Sequence, residues 1–319
     1  MLIKGQWAKD FHPVQDTDEE GGFVREDAGF RHWITSDGSA GPTGSAGFKA
    51  EAGRYHLYVA LICPWASRTL MARTLKGLEK VISVTVVEPR LTPKVWRFGS
   101  KENSLPGTEA DPLYGYDYVY QLYLRARPDY TGQVTVPVLW DKKTHTIVNN
   151  ESSEIIRMFN SGFGELADNR IDLYPEPLQS DIDAINERLY DRFNNGVYRA
   201  GFATTQVAYE KAVKQVFESL EFISQQLEGR SFLLGEQVTE ADIRAFVTLV
   251  RFELAYYGLF KTNVKHLSDY PNIGPYMQRI YKLPGVADTV NAEHIKQGYY
   301  SIEALNPSRI VPVGPSSLW

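Results

Sequence analysis

The chain is 319 residues long, 43% hydrophobic and 23% charged, and its 34 basic and 39 acidic residues leave a formal net charge of −5. That length suffices for two domains with separate cores, and the acidic balance speaks against a nucleic-acid partner, which needs a concentrated basic face. A single cysteine excludes an internal disulfide and, with it, the disulfide-stapled secreted scaffolds.

The first 50 residues are rich in Gly, Asp and Ser, with Trp7, Phe11, Phe23, Phe30 and Trp33 scattered among them. They read as an irregular arm that packs through these aromatics; a partly disordered tail is the alternative. The start, Met1-Leu2-Ile3-Lys4-Gly5-Gln6-Trp7, shows no apolar signal core or cleavage site. The longest apolar stretch, Leu57 to Cys63, is far too short to span a bilayer. A reducing cytoplasm is therefore the expected compartment, with no membrane partner.

Tyr55 to Leu61 predicts a strand, Trp65 to Leu78 a helix ended at Gly77, and the β-branched run Val81 to Val87 a second strand bounded by Pro89. Together they form a βαβ unit. Residues 88–132 make a long stretch that holds Trp96 and the tyrosine-rich run Tyr114 to Tyr123. Val134 to Asp141 and Thr144 to Val148 predict a hairpin around Asp141-Lys142-Lys143. Pro137 cannot donate to a ladder, so it lies on an edge or follows a cis bond. The helical pattern returns after Asn149-Asn150-Glu151-Ser152-Ser153 and dominates from about residue 178. Its clearest stripe is Ile243, Phe246, Val247, Val250, Leu254 and Tyr257. Thr239-Glu240-Ala241-Asp242 opens that helix with a variant of the capping box. Beyond Asn306, prolines 307, 312 and 315 predict an extended strap.

The lone cysteine sits in Leu61-Ile62-Cys63-Pro64-Trp65-Ala66-Ser67-Arg68, at the junction of the first predicted strand and helix. Proline suits the first helical position. The unpaired N–H groups there and the positive end of the helix dipole favour a thiolate, which makes Cys63 a candidate nucleophile. An inert buried thiol is the competing reading. No second cysteine stands at CxxC spacing, so a resolving thiol must come from solution. The six histidines show no metal-ligand spacing and no Gly-rich phosphate loop occurs. Neither a metal nor a nucleotide is indicated.

The order strand, Cys-Pro helix, strand, Val-Pro hairpin, Glu-Ser helix, followed by an all-helical region, resembles the cytosolic glutathione transferases. Cys63-Pro64-Trp65-Ala66, Val136-Pro137, Glu151-Ser152 and Thr239-Glu240-Ala241-Asp242 carry the resemblance. It narrows further. Cys-Pro-Trp-Ala, Thr-Val-Pro-Val-Leu-Trp-Asp, Asn-Asn-Glu-Ser-Ser and Asn-Asn-Gly-Val-Tyr-Arg-Ala-Gly-Phe-Ala together look like glutathionyl-hydroquinone reductases, the xi class, over roughly residues 30–305.

That resemblance implies an α/β plus all-α fold. Residues 1–50 would be an N-terminal arm, 51–165 a thioredoxin-like glutathione-binding domain with 88–132 inserted, 166–305 an all-helical substrate domain, and 306–319 a C-terminal strap. Glutathione enters as co-substrate, and the partners are small-molecule glutathione-conjugated hydroquinones and, as a homodimer, a second copy of the chain. Cys63 takes glutathione from the substrate as a mixed disulfide, Tyr198 protonates the departing ring carbon, and a second glutathione releases oxidised glutathione. Tyr256 and Tyr299 bind the hydroquinone; their neighbours Tyr257 and Tyr300 remain alternatives, with the apolar stripe placing Tyr257 in the core. Trp96, Gln133, Val134, Thr135, Val136, Glu151 and Ser152 bind glutathione, with Arg97 or Lys94 as candidates for its glycyl carboxylate. Two rivals share the motifs: an omega-like thioltransferase or dehydroascorbate reductase, and an interaction module without turnover.

Overall fold

The computed structural model describes residues 1–8, 17–100, 102, 104–315, 317 and 318. Phe11, one of the aromatics read as packing the arm, lies outside them. The chain divides into two compact units. Of the described residues, the first takes 1–8, 26–171 and 289–294; the second takes 17–25, 172–288 and the remainder from 295.

The first unit begins with a short hairpin, β1 (Leu2–Ile3) and β2 (Gln6–Trp7), then the parallel pair β3 (Trp33–Thr35) and β4 (Gly47–Lys49). Its core is a four-stranded sheet made of β5 (Tyr55–Val59), β6 (Ser83–Val86), β7 (Val138–Asp141) and β8 (Thr146–Asn149), in spatial order β6-β5-β7-β8. β5 pairs parallel to β6 and antiparallel to β7, which pairs antiparallel to β8. Helix α1 (Pro64–Leu75) makes the crossover from β5 to β6, α2 (Tyr120–Ala126) lies within the long connection, and α3 (Ser152–Arg157) follows β8. All five residues of β5 are buried, as expected for a central strand covered on both faces.

Three particulars tighten this sheet. Arg54 grips Asp141 with two parallel hydrogen bonds, Nε to Oδ1 at 2.8 Å and Nη2 to Oδ2 at 2.7 Å, a charge-assisted fork that fixes the start of β5 beside the end of β7. Asp141 also accepts from Lys143 N and Thr144 Oγ1, closing the turn into β8. The arm is less irregular than its composition suggests: Asn150 N donates to Phe30 O and His32 N to Val148 O, so residues 30–32 run along β8 and cover that sheet edge. Pro137 is resolved as well. The Val136–Pro137 bond is cis and β7 starts one residue later, so the proline precedes the ladder instead of interrupting it.

The second unit is helical: α4 (Gln179–Leu189), α5 (Gly196–Gly201), α6 (Gln206–Gln226), α7 (Glu240–Arg251), α8 (Ile273–Tyr281) and α9 (Ala292–Tyr299), of which α9 enters it at residue 295. Every residue of α7 is buried. Its cap is the box read from the sequence: Asp242 Oδ2 accepts from Thr239 N at 2.8 Å and from Thr239 Oγ1 at 3.0 Å. Asp242 Oδ1 accepts further from Leu233 N and from the Tyr276 hydroxyl, so a fully buried carboxyl is satisfied four times. Wider turns of i→i+5 type follow α4 at Tyr190–Asn194 and α7 at Phe252–Tyr256. No described helix is long and apolar enough to cross a membrane.

Candidate active site

Cys63 is the N-cap of α1. Its N–H donates to Ala60 O at 3.0 Å, its backbone is extended (φ −76°, ψ 117°), and Pro64 opens the helix. The thiol is 8% exposed and its Sγ lies 3.5 Å from the carbonyl oxygen of Val136, the residue before the cis bond. The first turn of α1 carries no acidic residue, so no carboxylate there opposes negative charge at the helix N-terminus.

The segment before Pro137 is held from below by residues that the sequence reading passed over. The Tyr123 hydroxyl donates to Thr135 O at 2.8 Å and accepts from Thr135 N at 3.1 Å and Asn150 Nδ2 at 3.1 Å. Burial raises the pKa of Tyr123, keeping it a neutral phenol that can both donate and accept. Tyr130 donates to Gln133 O at 3.2 Å. Gln133 to Val136 is therefore a clamped, non-helical, non-strand backbone in which Val134 and Val136 are buried. The i, i+3, i+4 spacing of Val119, Leu122 and Tyr123, all buried, was the signal available for Tyr123.

Glu151 caps α3, its Oε1 accepting from Ser153 N at 2.9 Å and Ser153 Oγ at 2.8 Å. The buried Ser152 hydroxyl accepts from Arg68 Nη1 at 3.4 Å, and the Arg68 guanidinium lies 4.3 Å from the Trp65 ring centroid. Arg68 is 1% exposed. Trp96 is half-buried in a loop pinned by Val119 N to Trp96 O at 3.1 Å and by a bridge between Arg97 and Tyr118. Lys94 is exposed and its ammonium faces the rings of Tyr118 and Tyr120 at 5.2 and 5.5 Å.

The second unit gathers the three chosen tyrosines. The hydroxyls of Tyr198 and Tyr299 are 2.6 Å apart and those of Tyr256 and Tyr299 2.8 Å apart, with Tyr299 in the middle. Phe260 packs against all three rings. Burial pushes Tyr256 and Tyr299 well above the usual tyrosine range, so both are neutral phenols at physiological pH. Three hydroxyls joined by two hydrogen bonds spend two of their three protons inside the trio and leave one for an acceptor outside it.

The choice between neighbouring tyrosines is where helical phase misled. Tyr257, read as a core residue on the apolar stripe, is half-exposed and stacks on His266 with ring centroids 4.1 Å apart. Tyr256 is fully buried. The stripe carries no choice because α7 is buried all round, and the i→i+5 turn at Phe252–Tyr256 breaks the 3.6-residue period before either tyrosine. Tyr300 is half-buried beside Gly258. Among the described residues no group of histidine, cysteine and carboxylate side chains is arranged to hold a metal ion.

Comparison with known proteins agrees with this architecture. Residues 62–161 match the glutathione S-transferase N-terminal domain family and residues 206–279 its C-terminal domain family. The glutathionyl-hydroquinone reductase YqjG of Escherichia coli K12 is 52% identical, over 99% of this chain and 95% of its own. The glutathionyl-hydroquinone reductase PcpF of Sphingobium chlorophenolicum is 45% identical, over 99% and 96%. Among solved structures, glutathione-bound YqjG aligns with a TM-score of 0.90 at 49% identity, covering 100% of this chain and 97% of that one. The glutathione-S-transferase Xi of Phanerochaete chrysosporium aligns with a TM-score of 0.89 at 50% identity, covering 95% and 96%. The chain belongs to the glutathione transferase superfamily, in the xi class with the glutathionyl-hydroquinone reductases.

Proposed function

We infer that this protein reduces glutathionyl-hydroquinones to hydroquinones, with glutathione as reductant. The observation that carries the reading is a lone cysteine at a helix N-terminus beside the cis Val136–Pro137 bond, in a chain that also joins three phenol hydroxyls in one hydrogen-bonded row. Monothiol exchange needs the first feature. An aromatic substrate that leaves as carbon needs something like the second.

The Cys63 thiolate attacks the glutathione sulfur of the conjugate; a Cys63–glutathione disulfide forms and the aryl C–S bond breaks. Its electron pair stays with the ring carbon, which would be prohibitively basic as a carbanion and so takes a proton as the bond opens. Tyr198 supplies that proton, while Tyr256 and Tyr299 hold the hydroquinone oxygens. A second glutathione thiolate attacks the mixed disulfide, releases oxidised glutathione and returns Cys63 to its thiolate. Gln133 to Val136 accompany the glutathione backbone, Glu151 and Ser152 take its γ-glutamyl end, and Trp96 closes over it. A reducing cytoplasm supplies the glutathione this cycle consumes, and the working unit is a homodimer, checked by a solution mass twice the 36.1 kDa of one chain.

Cys63→Ser is expected to abolish turnover of a glutathione-conjugated simple quinone and the glutathione adduct seen by mass spectrometry. Retention of most of the rate sinks the reading. Turnover of a mixed-disulfide substrate or dehydroascorbate in preference to the quinone conjugate favours the omega-like thioltransferase instead.

A further inference from the structure

Of the three linked tyrosines, Tyr198 is the least buried, at 9% exposure against 0% for Tyr256 and 2% for Tyr299. It also carries a cation on its ring face. The Arg25 guanidinium carbon lies 5.2 Å from the Tyr198 ring centroid and 5.3 Å from that of Phe23. Its Nε donates to Asn195 Oδ1 at 2.8 Å, in the residue just before α5, so the head group is anchored three positions from the ring it covers. The strand of arm that carries it is tied down in turn. Thr204 N donates to Gly21 O at 3.0 Å, Thr205 Oγ1 to Glu20 O at 2.8 Å, and Gly22 N to the Asp18 carboxylate at 2.8 Å.

Once the trio gives up its one outward proton, the negative charge must rest on an oxygen. Desolvation opposes that charge at Tyr256 and Tyr299, where the buried Arg251 offsets only part of the cost. Tyr198 is nearer solvent and lies beneath a guanidinium. We propose that Arg25 is a positioning residue for proton transfer: seated on the ring face of Tyr198, its guanidinium favours the tyrosinate left when Tyr198 protonates the ring carbon that glutathione leaves. This rests on the reading of Tyr198 as the general acid.

The step conserves atoms and electrons. The Cys63 sulfur is oxidised into a disulfide, the aryl carbon is reduced to C–H, and the proton comes from the Tyr198 hydroxyl. The tyrosinate then accepts from Tyr299, which accepts from Tyr256, until water returns the proton. A cation above a ring is attracted more strongly when the ring system carries negative charge than when it carries only a quadrupole. The groups that face Tyr198 are Arg25 and Phe23 from the arm, Phe202 at the end of α5, Tyr256 and Phe260 beyond α7, and Tyr299 at the end of α9. Arg25 brings a cation to this ring face.

The test follows single-turnover formation of the Cys63–glutathione disulfide from about pH 6 to about pH 10. Arg25→Met is expected to slow this step about two- to fivefold near neutral pH and to move its basic limb upward by about half a unit to one unit. Arg25→Lys, which keeps the charge, restores most of the rate and the limb. In a Tyr198→Phe background Arg25→Met adds no further slowing. An unmoved limb in Arg25→Met, or equal slowing with and without the Tyr198 hydroxyl, overturns the role given to Arg25. Should Tyr198→Phe alone leave the step unaltered, the acid assignment itself falls, and Arg25's role with it; that result is distinct from the first two.

Discussion

Gly201 shows how narrowly the tyrosine trio is built. A Cβ on this residue would stand 2.4 Å from Cγ of Phe260 and 2.7 Å from its Cδ1, closer than side chains approach. Phe260 is fully buried and is the ring in contact with Tyr198, Tyr256 and Tyr299. Gly201→Ala must therefore displace that ring, at a cost of about 1–3 kcal/mol of overpacking, and tilt the phenols away from their 2.6 and 2.8 Å spacings. The expected outcome is a severalfold loss of kcat/KM for the quinone conjugate with the glutathione KM unchanged. Unaltered kinetics for the conjugate would show that Phe260 yields without moving the phenols. Cys63 was legible because its signal is local: an apolar run, a Cys-Pro pair and a helix within a few residues. Arg25 was not, because its partner Asn195 is 170 residues away and no local pattern records that meeting. Arg68 and Tyr123 escaped for a related reason; each reads as an ordinary member of a buried helix face until the residue it props up is known.

Elements that obey one period throughout were the legible ones, namely β5, α1, β6, α3 and the box at Thr239–Asp242. Those that change period were not: the i→i+5 turn at Tyr190–Asn194 ends four residues before Tyr198, and the one at Phe252–Tyr256 ends on Tyr256 itself. A further element property follows from the burial of β5. His56 on this strand is 2% exposed and hydrogen-bonds Ser83 through Nδ1 at 2.7 Å and Thr85 through Nε2 at 3.0 Å, both on β6. Burial, assisted by Lys142, pushes its pKa from 6.5 down to about 4. An unfolded chain takes up this proton near pH 6.5 while the folded one refuses it until about pH 4, so the stabilisation is complete above 6.5 and declines as pH falls through that window. Linkage sets the decline at about 2 kcal/mol between pH 7 and pH 5. Urea unfolding should show that slope in the wild type and a shallower one in His56→Gln. A His56 resonance titrating near 6.5 in the folded protein would contradict it.

At the scale of the whole molecule, the proposed chemistry is divided along the same line as the chain. The first unit holds the thiol, the Gln133–Val136 backbone and the Glu151–Ser152 cap; the second holds the phenols. Both half-reactions pass through glutathione at Cys63, but only the first involves an aromatic ring. Substitutions in the two units should therefore separate in kinetics. Ser152→Ala removes a hydroxyl proposed to meet a carboxylate, a contact of about 1.5–3 kcal/mol, and should raise by about ten- to a hundredfold the concentration of conjugate needed in the first half-reaction and of free glutathione needed in the second. Tyr299→Phe cuts the row of hydroxyls at its centre, isolating Tyr198 from Tyr256, and should slow formation of the mixed disulfide from a quinone conjugate by at least about tenfold. Its resolution by free glutathione should proceed at the wild-type rate, because no proton has to reach carbon in that exchange. Stopped-flow measurement of the two steps on the same preparation distinguishes the cases. Equal slowing of both steps by Tyr299→Phe would mean that the phenols serve glutathione binding or the stability of their unit, and the division of labour would have to be abandoned.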